Sequence, residues 1–225
     1  MIDGIALIQG TDEWKAARIG SLGASSLHEA LARTKTGWGA GRANCRARLV
    51  IERLTGIAQD TYVNAAMQAG IDNEPDARTA YEFVNDADVM QIGLARHPTL
   101  AHTHASPDGL VGADGLIEIK CPQPAQHLAT LEGEPIADKY QLQMLWQMRC
   151  CDRAWCDFVS YSPAFPAHLR LHVRRFHRDE KRMAIVEKDV SEFLVEVDEA
   201  VDNLNRRYGM APADVVRGQL ERGLA

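Results

Sequence analysis

The stretch Ser106-Pro107-Asp108-Gly109-Leu110-Val111-Gly112-Ala113-Asp114-Gly115-Leu116-Ile117-Glu118-Ile119-Lys120 contains two short β-type runs, residues 109–111 and 116–120, with a turn signal at Asp114-Gly115 between them. Side chains alternate along a strand, so Glu118 and Lys120 share one face while Ile117 and Ile119 point into the core. Glu and Lys are rarely buried on a central strand without a task. Parity decides whether Asp108 joins them. A three-residue loop, at 112–114 or 113–115, sets Asp108 opposite Glu118 or Lys120, whereas a two-residue loop turns it to the other face. We expect the odd loop, with all three charges converging.

Two carboxylates and the Ile119 carbonyl offer hard oxygen ligands, which suit Mg²⁺ or Mn²⁺ and not zinc. A cation removes the repulsion between neighbouring carboxylates. It also lowers the pKa of water and offsets charge growing on a phosphate. Lys120 would orient that water or stabilise the pentavalent transition state. The plain alternative is a surface hairpin with a Glu–Lys pair, which contributes only ~0.2 to 1 kcal/mol.

Outward from this centre, the period of the sequence changes twice. Residues 12–18 and 25–33 read as short helices, with Ser25 near the start of the second. Residues 34–41, with three glycines, read as a mobile loop, and 42–54 as a helix stopped by Gly56. Residues 63–85 look helical, with Pro75 in a first turn or at a kink. Short strands follow at 89–95, 101–105, 109–111 and 116–120. A helix at 138–151, strands at 154–160 and 169–176, and a long helix capped by Asp179 and stopped by Gly209 complete the chain. Its apolar stripe, from Met183 through Val190 and Val197 to Leu204, has helical spacing. The expected fold is one α/β domain over residues 1–225, a small central mixed sheet flanked by helices.

The 225 residues suffice for a core without staples, and no apolar run approaches the ~20 residues needed to cross a bilayer. Residues 1–9 lack the marks of an export signal, which gives cytoplasmic as the expected location. Five cysteines, odd in number and mostly in apolar contexts, read as buried thiols rather than disulfides or an iron–sulfur site. The net charge of −6 argues mildly against a nucleic-acid partner, but it is unevenly spread. Residues 33–53 carry six Arg or Lys against Glu52, and 187–202 are strongly acidic. The basic segment either tracks phosphates or forms a solvated helix face.

Pro107-Asp108 with Glu118-x-Lys120 matches the PD-(D/E)xK nuclease signature. Around it the chain resembles the phage lambda-type exonucleases, the YqaJ-like viral recombinase family. The matching pieces, spread over residues 9–205, are Trp14 to Arg18 with Gly20 and Ala24-Ser25, Gly70 to Glu74 with Asp76-Ala77-Arg78, Ser106 to Gly109, Glu118 to Pro122, and Gln141 with Gln143. The resemblance implies a restriction-endonuclease-like core and a 5′→3′ exonuclease that degrades one strand of linear double-stranded DNA using two metal ions. It further implies a 3′ single strand left for an annealing protein, and a homotrimeric ring around DNA. Carried over, Asp108, Glu118 and the Ile119 carbonyl hold metal, Lys120 serves the attacking water, and Glu74 supports metal or water. Gln141 helps position substrate and Lys120.

Arg18 and Ser25 match positions that bind the terminal 5′ phosphate, as a helix N-terminus beside a guanidinium can. Arg33 or Lys35 would add to this pocket. Met67 is a candidate wedge against the end base pair, with core packing the plainer reading. His102 and His104 share a strand face and are expected to form hydrogen bonds. Two competing readings are a RecB-like endonuclease or single-strand nuclease, and a catalytically silent DNA-binding module.

Overall fold

A computed structural model describes residues 6–59 and 65–209. In chain order its helices are α1 (Asp12–Arg18), α2 (Leu27–Ala30), α3 (Ala40–Thr55), α4 (Ala65–Asn85), α5 (Pro124–Leu131), α6 (Asp138–Cys151) and α7 (Glu180–Tyr208). Its strands are β1 (Leu22–Gly23), β2 (Arg33–Thr34), β3 (Gly37–Trp38), β4 (Val89–Met90), β5 (Ala95–Arg96), β6 (Thr103–Ala105), β7 (Gly109–Val111), β8 (Gly115–Lys120), β9 (Trp155–Tyr161) and β10 (Leu171–His177). The expected starts at 63–64 and the chain ends at 1–5 and 210–225 lie outside the described residues.

The main sheet has the order β10-β9-β8-β7-β4 and is mixed, because β8 and β9 run parallel while the other pairs are antiparallel. The parallel pair needs a crossover, which α5 and α6 supply. A separate three-stranded sheet, β1-β6-β5, and the β2–β3 hairpin stand apart from it, so the single expected sheet is divided. The division falls where Gly93 lets the backbone of Leu7 approach so closely that a Cβ would collide with it.

The β7–β8 turn has the expected odd length. Val111 pairs with Gly115 and Gly109 with Ile117, leaving residues 112–114 as the loop; Gly112 takes a left-handed φ of 55° within it. Continued one step, this register sets Asp108 opposite Glu118. Gly115 is required for another reason: the ring of Trp155 on the neighbouring strand fills the space a side chain would occupy.

Both faces of β8 are covered, as befits a strand with a parallel partner. Ile117 and Ile119 pack with Ala77 and Tyr81 of α4, whereas Leu116 joins the larger core with Met144, Leu145 and Met148 of α6. Glu118 points to the α6 side and is only 1% exposed. The sheet therefore buries the charged face under a helix instead of leaving it open.

Two expectations are corrected here and a third is narrowed. Residues 33–38 form a hairpin rather than a loop, held by Thr34 and by Trp38, whose ring lies 3.9 Å from the Arg33 and 3.8 Å from the Arg42 guanidinium. Pro75, expected in a first turn or at a kink, sits in the interior of α4, which leaves only the second of those places. Three arginines of α3, Arg42, Arg46 and Arg53, neither face solvent alone nor stay free for phosphate. Arg42 donates to Glu196 at 2.7 Å and to the Ala30 carbonyl at 2.7 Å, Arg46 donates to the Glu196 carbonyl, and Arg53 pairs with Asp198. Arg33 adds a link to Asp189 at 3.3 Å. The basic and acidic segments are partners, and these contacts dock α7 on α3.

Candidate active site

The turn brings Asp108 back over β8, where its Oδ2 accepts the Ile119 N–H at 2.6 Å. Glu118 is gripped from three sides. Gln143 donates to Oε1 at 2.7 Å, Gln147 donates to Oε2 at 2.5 Å, and the Lys120 ammonium contacts Oε1. Gln143 and Gln147 lie four apart on α6, so they share one helix face. Glu74 comes from α4 and pairs with Arg78 at 2.6 Å, one turn on, while Arg78 also donates to the Asp108 carbonyl. Glu74, Ile119 and Lys120 line one groove, with Met67 and Ile71 on its α4 side. Met67 is 51% exposed there, which places it on the groove rather than in the core.

The electrostatics of the centre suit a positive charge. Burial, then Glu118, then Glu74 raise the Asp108 pKa well above the ordinary carboxyl value, against the pull of Lys120 and the Ile119 N–H. Burial opposes the charge on Lys120, but Glu118 and Asp108 outweigh it and its pKa is raised. Among the described residues no three His, Cys, Asp or Glu side chains form a closed metal cage. The donors at this site are instead two carboxylates, one main-chain carbonyl and Glu74 across the groove. Hard oxygens around a carboxylate that resists ionisation fit a divalent cation such as Mg²⁺.

The expected residues divide into those the fold assembles and those it does not. Asp108, Glu118, Ile119, Lys120 and Glu74 come together. Gln141 does not: its amide donates to the Ile136 carbonyl at 2.6 Å and its oxygen accepts from Arg182 at 2.7 Å. Gln143 and Gln147 hold Glu118 in its place. Gln147 is fully buried, so a glutamine inside an apolar helix was the available sign.

A second cleft, of about 410 Å³, gathers Arg18, Arg48, Ser26 and His104. Arg18 stacks on Trp14 at 3.9 Å and donates through Nε to His104 Nε2 at 3.1 Å. His104 must then donate from Nδ1 to Ser21, at 2.8 Å. Burial, followed by Arg18, lowers the His104 pKa to about 3, so the ring stays neutral. Arg48 donates to Ser26 at 3.2 Å. Ser25 is exposed and lines none of this cleft, and neither do Arg33 and Lys35 on the hairpin. Arg48 and Ser26 line the cleft where Ser25, Arg33 and Lys35 do not.

Residues 13–154 match the model of the YqaJ-like viral recombinase domain. The chain belongs to the YqaJ-like viral recombinase family. Among solved structures, one similar to this family member is an alkaline exonuclease (LHK-Exo) from Laribacter hongkongensis. It is 42% identical with a TM-score of 0.82, covering 88% of this chain and 98% of the other. The same exonuclease in complex with dAMP matches equally well. A phage-related exonuclease from Haemophilus somnus 129PT, 15% identical with a TM-score of 0.61, covers 82% of this chain and 96% of its own and shares the fold. No curated protein matches the chain. The restriction-endonuclease-like α/β fold expected from the sequence is the fold of these neighbours, and no helix among the described residues is long and apolar enough to cross a membrane.

Proposed function

We propose that this YqaJ-family chain is a Mg²⁺-dependent exonuclease that degrades one strand of linear double-stranded DNA from its 5′ end. The convergence of Asp108, Glu118 and Lys120 around a carboxylate that resists ionisation carries this reading. The similarity to LHK-Exo supports it from outside. Asp108, Glu118 and the Ile119 carbonyl would hold Mg²⁺ or Mn²⁺, with Glu74 serving a second ion. Such ions supply water of lowered pKa and offset charge on the phosphate. Gln143 and Gln147 fix the Glu118 carboxylate, so its oxygens need no reorganisation during reaction. Lys120 lies where its ammonium can leave Glu118 for the attacking water or the pentavalent phosphate.

Arg18 and Arg48 supply two cations in a separate cleft, which suits the 5′-terminal phosphate. The 3′ single strand that results would pass to an annealing protein in recombination. A trimeric ring, a cytoplasmic site of action and a single nuclease domain complete the proposal.

The test uses Mg²⁺ with linear duplexes carrying or lacking 5′ phosphates, beside a closed circle. Progressive loss of the 5′-phosphorylated strand, abolished in Lys120→Ala, is the expected result. Cutting of the circle would mark an endonuclease, and binding without cleavage a silent DNA-binding module.

A further inference from the structure

Helix α4 is set on the sheet by its buried face. Ala77 and Tyr81, four apart, pack on Ile117 and Ile119 of β8, and the Tyr81 hydroxyl donates to Asp157 at 2.8 Å. With the helix fixed in this phase, Glu74 and Arg78, also four apart, fall one step round its axis, beside the start of β7. Glu74 lines the groove with Ile119 and Lys120, whereas Arg78 lines none of it.

An exposed Glu–Arg pair at this spacing is a weak helix brace and nothing more. Two observations set this pair apart. The Arg78 side chain is only 12% exposed, against 31% for Glu74. Its fork is also divided between two elements: Nη2 donates to Glu74 Oε1 at 2.6 Å, and Nε donates to the Asp108 carbonyl at 3.3 Å. Among the described residues Arg78 is the one donor to the Glu74 carboxylate. Asp108 is thereby held at both ends, its side chain by the Ile119 N–H of β8 and its main chain by α4. Glu74, Asp108 and Glu118 converge here and repel one another. Without the guanidinium, that repulsion would turn Glu74, the carboxylate on the groove wall, out toward solvent.

We propose that Arg78 is a positioning residue that ties Glu74 of α4 to Asp108, and so sets the spacing of the carboxylates between which a divalent cation fits. The planar fork matters more than the charge. A lysine in this place could pair with Glu74 but could not reach the Asp108 carbonyl as well. The inference rests on the nuclease reading above, in which both carboxylates serve cations.

The test is Mn²⁺ binding, by calorimetry on the full chain, to wild type, Arg78→Lys, Glu74→Gln and the double variant. Melting in chelator and hydrolysis of a linear duplex are followed alongside. Arg78→Lys keeps the positive charge, so a change in affinity reports the tie and not the field. It should bind Mn²⁺ about 10- to 100-fold more weakly than wild type, the usual cost of losing a group that orients a metal ligand, with Tm in chelator little changed. In the Glu74→Gln background the same substitution should change affinity by no more than about twofold, because Arg78 acts through Glu74. Wild-type affinity in Arg78→Lys, a further loss in the double variant, or a loss matched by a fall in Tm in chelator overturns the tie. Hydrolysis by wild type with Mn²⁺ affinity indifferent to Arg78→Lys sinks the tie alone. Mn²⁺ binding that answers to Arg78 without hydrolysis sinks the nuclease reading and keeps the tie, and a wild type that takes up no Mn²⁺ sinks both.

Discussion

Replacing Asp108 by Asn should make the metal-free protein more stable while destroying cleavage. Asp108 carries a raised pKa because burial and the charges of Glu118 and Glu74 outweigh Lys120. Two unit charges ~6 Å apart at an effective dielectric of ~20 repel by about 3 kcal/mol, and Lys120 returns part of that. Asn keeps an oxygen for the Ile119 N–H, so that hydrogen bond is retained. A net gain of about 1 to 2 kcal/mol follows, or roughly 2 to 8 °C in Tm for a domain of this size. With Mg²⁺ the order should reverse. A cation at 100 times its Kd adds about 2.7 kcal/mol to wild type, and Asp108→Asn forfeits most of it. The pH dependence has a definite sign. A carboxyl whose folded pKa is raised contributes stability that is full below its unfolded value, 3.8, and is lost as pH rises through the folded pKa. Metal-free wild type should therefore gain stability on acidification toward pH ~4 relative to Asp108→Asn. Scanning calorimetry in chelator and in Mg²⁺ reads all of this. A lower Tm for Asp108→Asn in chelator would refute the account of a repelling, cation-seeking centre.

Gln147→Met should raise the Mg²⁺ concentration for half-maximal cleavage about 10- to 100-fold, because Glu118 loses a buried donor that fixes its orientation; an unchanged Mg²⁺ titration would remove Gln147 from the positioning role. Arg42→Ala should destabilise the fold by about 2 to 4 kcal/mol, leaving Glu196 and the Ala30 carbonyl without their donor. The salt dependence of duplex binding should not change with it, whereas Arg48→Ala should reduce the salt slope by about one. His104, with its pKa lowered to about 3, stays neutral in the fold while the unfolded chain takes up a proton below pH ~6.5. Stability should thus fall by about 1.4 kcal/mol per pH unit between pH ~6.5 and 3, and chemical denaturation of His104→Gln should lack that part of the decline.

The centre of the site was legible because it is local. An alternating strand, a turn signal and loop parity place Asp108 opposite Glu118 or Lys120 from fifteen consecutive residues, and the β7–β8 register selects Glu118. The caps at Asp179 and Gly209 and the span of α6 were equally local. The phase of α6 was not. The helix is buried on several sides, so apolar spacing does not say which glutamine faces β8: Gln141 was expected to help position substrate and Lys120, whereas Gln143 and Gln147 are the ones that reach the centre, at Glu118. The β2 and β3 strands are two residues each, too short to show a period. Helix α5 follows Pro122, begins with Pro124 and hides behind these turn signals. The pairing of Arg42 with Glu196 joins residues 154 apart, and no window along the chain can register it.

That pairing also bears on engineering. Glu196 and Asp198 act as built-in counterions for guanidinium groups that are themselves almost buried, with the Arg42 side chain 5% and the Arg53 side chain 10% exposed. Replacing these two carboxylates by amides would leave the catalytic centre alone and strand two charges beneath α7. Such a variant would lose its hold between α3 and α7 and gain no adhesion to the double helix.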